Sequence, residues 1–412
     1  MNKAQGEISP DVQQSVRGNN EFAIDLYSQL KSDGVGDLFL SPSSISLALA
    51  MAYAGAAEET ASEIAKTMHF SLPSDRLHES LRGLQDETKT GGVDFRIANR
   101  MWGQRGYNFL GEFLRTTEQC YGARLAEADF INASEATRIE INDWVAQRTN
   151  QRIKNLIPPN CLGEMTRLVL VNAVYFLGSW ENEFKTEATV DAEFHVAPNQ
   201  VQSVRMMRQT DSFRYGEFDD LQVLEMPYRS EQIEWKTVKH GEIEREEPVE
   251  VSDSGSDFVM TILLPRRVDG ISDIENRLSV STLQKWTTLS LDRVSVRFPR
   301  FRMESSYFLS EVLQALGMKK AFLIDQANFA GMSDNPEGLF IGETIHKAFV
   351  DVNEKGTEAA AATAIVMRGG SAMEPKPPKQ FVVDHPFLFL IRDQRTQQIH
   401  FMGRVSSPSS QD

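Results

Sequence analysis

The run Leu168-Val169-Leu170-Val171-Asn172-Ala173-Val174-Tyr175-Phe176 does most to limit the fold. It is apolar at both odd and even positions and rich in β-branched residues, which is how a strand reads when both faces of its sheet are covered. Val294-Ser295-Val296-Arg297-Phe298 alternates instead, as a strand with one solvated face does. Two further apolar strands, Leu221 to Tyr228 and Phe258 to Pro265, flank an acidic insertion, Arg229 to Asp257, with Gly241 placed for a hairpin tip. The insertion reads as a solvated hairpin, with a partner-binding exosite as the alternative. Helical spacing begins after Asn19 and Asn20, with Phe22, Leu26 and Leu30 four residues apart. A second helix opens at Ser41-Pro42 and continues to Gly55. Others are read at Ala133 to Gln147, with Ile139 and Val145 inward, and at Ser310 to Gly317. No Pro/Gly/Ser-rich linker and no solenoid repeat divides the chain, so one domain is expected.

Several function classes are disfavoured. The 412 residues carry a formal net charge of -15, which argues against holding nucleic acid or an anionic membrane by bulk electrostatics. Leu38 to Ala57 is uncharged, but Ser41, Pro42, Ser43, Ser44 and Ser46 interrupt it. Its apolar part starts near Ile45 and is too short to span a bilayer, so a buried core helix is expected. Cys120 and Cys161 lack any metal or redox spacing and read as ordinary thiols. Met1 to Glu7 shows no basic start before an apolar block, which leans towards a cytoplasmic protein or one whose signal has been removed. The sequon Asn132-Ala133-Ser134 matters only in a secreted chain. The seven histidines make no metal-ligand spacing, and no nucleophile elbow, phosphate loop or dinucleotide fingerprint is present. No catalytic residue, metal or cofactor is assigned.

One segment stays ambiguous on local physics. Asn353-Glu354-Lys355-Gly356-Thr357-Glu358-Ala359-Ala360-Ala361-Ala362-Thr363-Ala364 is a helix by alanine propensity, or a strand whose small side chains enter a sheet where bulkier ones would not fit. Gly369 to Lys379 comes directly after it, flexible at Gly369-Gly370 and extended at Pro375, Pro377 and Pro378.

An ordered set of motifs resembles the serpin family, inhibitors of serine proteases that act by conformational change. It runs Phe39-Leu40-Ser41-Pro42-Ser43-Ser44-Ile45, Ile141-Asn142-Asp143-Trp144-Val145, Asn172 to Trp180, Phe298-Pro299-Arg300-Phe301, Ala327-Asn328-Phe329-Ala330-Gly331 and His346-Lys347-Ala348. It ends in the alanine run, Asp384-His385-Pro386-Phe387-Leu388-Phe389 and Met402-Gly403-Arg404. The loop, with Asp384-His385-Pro386 and Ile391-Arg392-Asp393 after it, resembles intracellular or prokaryotic members more than plasma ones.

The resemblance implies an α+β serpin fold with three β-sheets, eight or nine helices and an exposed reactive-centre loop. It also implies a single domain over 18–408 with the loop at 354–380, a flexible segment at 1–17 and a tail at 409–412. A protease would cut the loop as bait and be trapped as an acyl-enzyme while the cut loop enters the central sheet as a strand. The hinge would be Glu354, Gly356, Thr357, Glu358, Ala359, Ala360, Ala361, Ala362 and Thr363, with odd residues inward and even ones towards solvent. Ser41, Ser44, Asn172 and His346 match the polar shutter below the point where the strands part, and Trp180 the breach above it. Counting from Glu354 puts the scissile bond at Gly370-Ser371, suited to an elastase-like or subtilisin-like serine protease. Arg368-Gly369 is the trypsin-type alternative, and a cut near Ala372-Met373 a third. A monomer is implied. The competing readings are a non-inhibitory serpin acting as chaperone or carrier, and an inhibitor of a cysteine protease.

Overall fold

A computed structural model describes residues 8–31, 36–89, 93–229, 233–240, 243–250, 257–334, 338–357 and 376–409. The central sheet has six strands in the order Phe301–Phe308, Ile341–Asn353, Gly356–Thr357, Leu168–Ser179, Asp94–Gln104 and Ala126–Ala128. Leu168 to Phe176 is its middle strand, every residue at most 2% exposed. Two cores explain why both parities are apolar. Val174 and Phe176 join Ala348, Val350 and Val352 on one face, towards a larger sheet. Val171, Ala173 and Tyr175 join Ile345 and Phe349 on the other, together with Phe130, Ile141 and Val145 of the covering helix Phe130–Arg148.

The larger sheet has nine strands, in which Val190–Ala197 also pairs with Gln200–Glu217. Its centre is Leu221–Pro227 against Phe258–Pro265, antiparallel as their flanking positions implied. Between them Ile233–His240 pairs with Ile243–Glu250 as a separate two-stranded sheet, so the acidic insertion is a hairpin in which His240 faces Ile243. Val294, Val296 and Phe298 are buried while Arg297 is exposed, the expected alternation. With three sheets and nine α-helices among the described residues, the α+β class holds.

Three expectations need correction. The first helix spans Pro10–Leu30, so residues 10–17 are not a flexible segment. Ser9 accepts a hydrogen bond from the Val12 amide at 3.3 Å, and Val12 and Val16 pack on Leu84. Asn19 and Asn20 lie buried mid-helix rather than capping it, and Asn20 bonds the Gln397 carbonyl and the Ile399 amide. In Phe130–Arg148 the inward residues are Ile141 and Val145, one turn apart, whereas Ile139 is 47% exposed. Ile139 and Ile141 lie two residues apart, about 200° around a helix, so they cannot share a face.

Leu38–Leu40 is a strand that leads into the buried helix Pro42–Tyr53. No helix among the described residues is long and apolar enough to cross a membrane. Both cysteines are free thiols.

Candidate functional site

The site lies along the seam between Leu168–Ser179 and Ile341–Asn353. These strands pair parallel from Leu168 opposite Ile341 up to Tyr175 opposite Phe349, and then separate. Into the gap comes the chain itself. After Asn353 a turn through Glu354 and Lys355 reverses direction, and Gly356 and Thr357 pair antiparallel with Asn353 and Val352 on one side and with Ser179 and Gly178 on the other. Gly356 has φ +151°, and a Cβ there would stand 2.1 Å from the Gly178 carbonyl oxygen, so only glycine fits.

Several contacts hold the turn. The Trp180 indole donates to the Asn353 carbonyl at 2.9 Å, and its amide donates to the Lys355 carbonyl at 2.9 Å. Trp180 is stacked on Tyr228, ring centroids 4.7 Å apart. The Tyr228 hydroxyl bonds Thr357 Oγ1 at 2.9 Å, and complete burial raises the tyrosine pKa well above its ordinary range. Glu354, only 5% exposed, takes a hydrogen bond from Thr189 at 2.6 Å and lies 3.5 Å from Arg300 Nε. A buried carboxylate is stable only with such partners.

Lower on the seam, Asn172 and His346 face each other across the two strands. The Ser41 amide donates to His346 Nε2 at 3.1 Å, so the ring proton sits on Nδ1 and is donated to Asn172 Oδ1. The Asn172 amide in turn donates to Ser44 Oγ and Asn99 Oδ1, and Asn99 donates to the Ser44 carbonyl at 3.2 Å. Burial lowers the His346 pKa to about 3, which keeps the imidazole neutral. The network ties helix Pro42–Tyr53 to both strands of the seam, which can separate only by exchanging these bonds.

Ser41, Ser44, Asn172 and His346 are thus brought together, and Trp180 stands above them beside Glu354, Gly356 and Thr357. Glu358, Ala359, Ala360, Ala361, Ala362 and Thr363 lie outside the described residues, as do both candidate bonds, Gly370-Ser371 and Arg368-Gly369. Sequence reasoning missed Asn99, Thr189 and Tyr228 and gave Arg300 no role, although it stands inside one of the motifs. A carboxylate at position 354 that must be buried was the one signal calling for a basic partner; nothing local marked Asn99 or Thr189. Among the described residues no group of three or more potential ligands could hold a metal ion.

The central sheet is parted at one end by a reversal of its own chain, between two strands that are direct parallel neighbours lower down. The sequence profile of the serpins, serine protease inhibitors, matches residues 17–408, and the chain belongs to this family. It is a protease inhibitor rather than an enzyme, and its partner is a serine protease. Leukocyte elastase inhibitor A of Mus musculus is 39% identical over 409 residues, covering 96% of this chain and all of that protein. Uncleaved ovalbumin superposes with a TM-score of 0.80 at 30% identity, covering 95% of this chain and all of that one. Serpin48 of the insect Tenebrio molitor, described as highly specific, gives 0.81 at 28% identity, covering 98% and 100%.

Proposed function

We propose that the protein is a single-use inhibitor of a serine protease that accepts small residues, elastase-like or subtilisin-like, cut at Gly370-Ser371 in the loop 354–380. The seating of Gly356 and Thr357 carries this reading, because it fixes the direction and register in which the cut loop would continue. Continued in that register, Ala359 would lie between Val350 and Phe176, and Ala361 between Ala348 and Val174, both on the side of the buried core shared by the sheets. The other parity would face the covering helix over this stretch rather than open solvent. Ala360 would meet Phe349 and Tyr175, and Ala362 would meet Lys347 and Ala173, beside the core packed under Phe130–Arg148. Small residues are therefore needed at both parities, and four consecutive alanines meet that need.

Thr363 would arrive between His346 and Asn172. Its hydroxyl both donates and accepts, so it can take over bonds the two residues make to each other in the closed seam. New ladder bonds contribute roughly 0.5–1.5 kcal/mol each net, which over a whole strand drives the protease along with the loop.

The resemblance to leukocyte elastase inhibitor A supports the preference for small residues. A cut at Arg368-Gly369 by a trypsin-like enzyme would shorten the inserted strand by two residues and weaken the trap. We infer a monomeric inhibitor, and the two free thiols suit the reducing cytoplasm.

Incubation with elastase, subtilisin and trypsin tests the reading. The expected result is a denaturant-stable complex with a small-residue protease and a released C-terminal peptide beginning at Ser371. A peptide beginning at Gly369 would move the bond to the alternative. Nicking by every protease with full activity retained would overturn the inhibitory reading.

A further inference from the structure

A cavity of about 320 Å³, away from the hinge, is bordered by the helices Pro10–Leu30 and Pro42–Tyr53 and by strand Asp94–Gln104. Its size suits a compact organic ligand. Asn19, Ser46 and Gln398 form part of its wall and are 2%, 1% and 3% exposed. In each, one side-chain oxygen is buried without a hydrogen-bond partner. Buried polar atoms are seldom left so, and three on one cavity wall call for a common explanation. The Asn19 amide nitrogen is committed to the Ile399 carbonyl at 3.4 Å, so its oxygen is the free end and requires a donor.

The rest of the wall has a different chemistry. Leu47, Met51, Leu81 and Ile97 provide an apolar stretch. At the outer end the guanidinium carbons of Arg100 and Arg148 lie 4.9 and 6.0 Å from the centre of the same Trp144 ring. Neither forms an ion pair with a carboxylate among the described residues. Burial, and after it the neighbouring Arg148, disfavours the charged form of Arg100; Glu140 offsets this only in part, and a bound anion would add to its effect. The opening exists because the short strand Ala126–Ala128 pairs only with Trp102 to Gln104, leaving the sheet edge at Ile97 to Arg100 uncovered.

We propose that this cavity binds a small amphipathic anion: a carboxylate between Arg100 and Arg148 over Trp144, a compact apolar body along Leu47 and Ile97, and a hydrogen-bond donor reaching Asn19. The site does not depend on the protease reaction. Its test is calorimetric titration of the intact protein with 10-hydroxydecanoate, decanoate and 1,10-decanediol. The hydroxy acid binds tightest, and loss of either polar end weakens binding about tenfold or more, as expected for one charge-assisted or buried hydrogen bond. Arg100→Gln combined with Arg148→Gln weakens the two acids to a similar degree and leaves the diol unchanged. Leu47→Trp fills the cavity and abolishes binding of all three; should it fold poorly, the arginine variant carries the test alone. No binding of the hydroxy acid up to about 1 mM, as for a cavity that holds only water, overturns the proposal. So does equal affinity for the three probes, or indifference to the loss of both arginines.

Discussion

Replacing Thr357 by arginine tests the hinge where the structure describes it. The side chain is fully buried, its hydroxyl 2.9 Å from that of Tyr228, beside a stacked tyrosine and tryptophan. A guanidinium in that place would keep its charge and find one hydroxyl for five donors. An uncompensated buried charge costs on the order of 3–5 kcal/mol, and about 1.4 kcal/mol is a factor of ten. Even the lower figure shifts the competition between strand insertion and hydrolysis of the acyl-enzyme about a hundredfold towards hydrolysis. The assay titrates a fixed amount of the trapped protease with inhibitor and reads residual activity and denaturant-stable complex. The unmodified protein should reach full inhibition near equimolar ratio, whereas Thr357→Arg should be consumed as a substrate and leave the protease active. Thr357→Val, which loses one hydrogen bond worth roughly 1 kcal/mol, should still trap. An arginine variant that inhibits at the unmodified ratio would refute the idea that this side chain must be buried for trapping.

Other outcomes are expected along the same seam. Gly356→Ala should expel the turn, because its Cβ would collide with the Gly178 carbonyl; hydrogen exchange at the Lys355 and Gly356 amides should then accelerate relative to the unmodified protein. Asn172→Ala removes the acceptor of the His346 Nδ1–H, while Ser44 and Asn99 still bond each other, and should lower stability by roughly 1–3 kcal/mol in urea unfolding, as for one unmet buried group. His346 and His400 are both buried with pKa values lowered to about 3 by desolvation. The unfolded chain binds these protons first, so the stability they contribute is full above pH 6.5. It is lost as the pH falls from there towards 3, by at most about 1.4 kcal/mol per pH unit for each histidine. Unfolding midpoints measured between pH 7.5 and 5 should fall accordingly, and a flat profile would contradict neutral burial.

Part of this site could be read along the chain. Motif order identified Ser41, Ser44, Asn172, His346 and Trp180, because each stands in a recognisable local phrase. Asn99 stands in none. It joins the network because its strand happens to lie beside Asn172, a pairing of residues 73 apart. Glu354 was marked for its place in the hinge, but its burial and its clasp by Thr189 and Arg300 depend on three segments meeting. The sequence implied inward odd residues and solvent-facing even ones in the alanine run, which from Glu358 to Thr363 lies outside the described residues.

Local side-chain chemistry by itself determined that a long strand would be covered on both faces and that the acidic insertion would be a hairpin. Those conclusions depend on periodicity and side-chain size, which are properties of neighbouring residues. Tertiary structure alone decided where Gly356 and Thr357, just before the alanines, are seated. The register of Asn172 against His346 and the gap held open by Gly356 and Thr357 both arise from strands 170 or more residues apart lying side by side. Hydrogen bonds between distant segments select that arrangement, and no local window contains both partners.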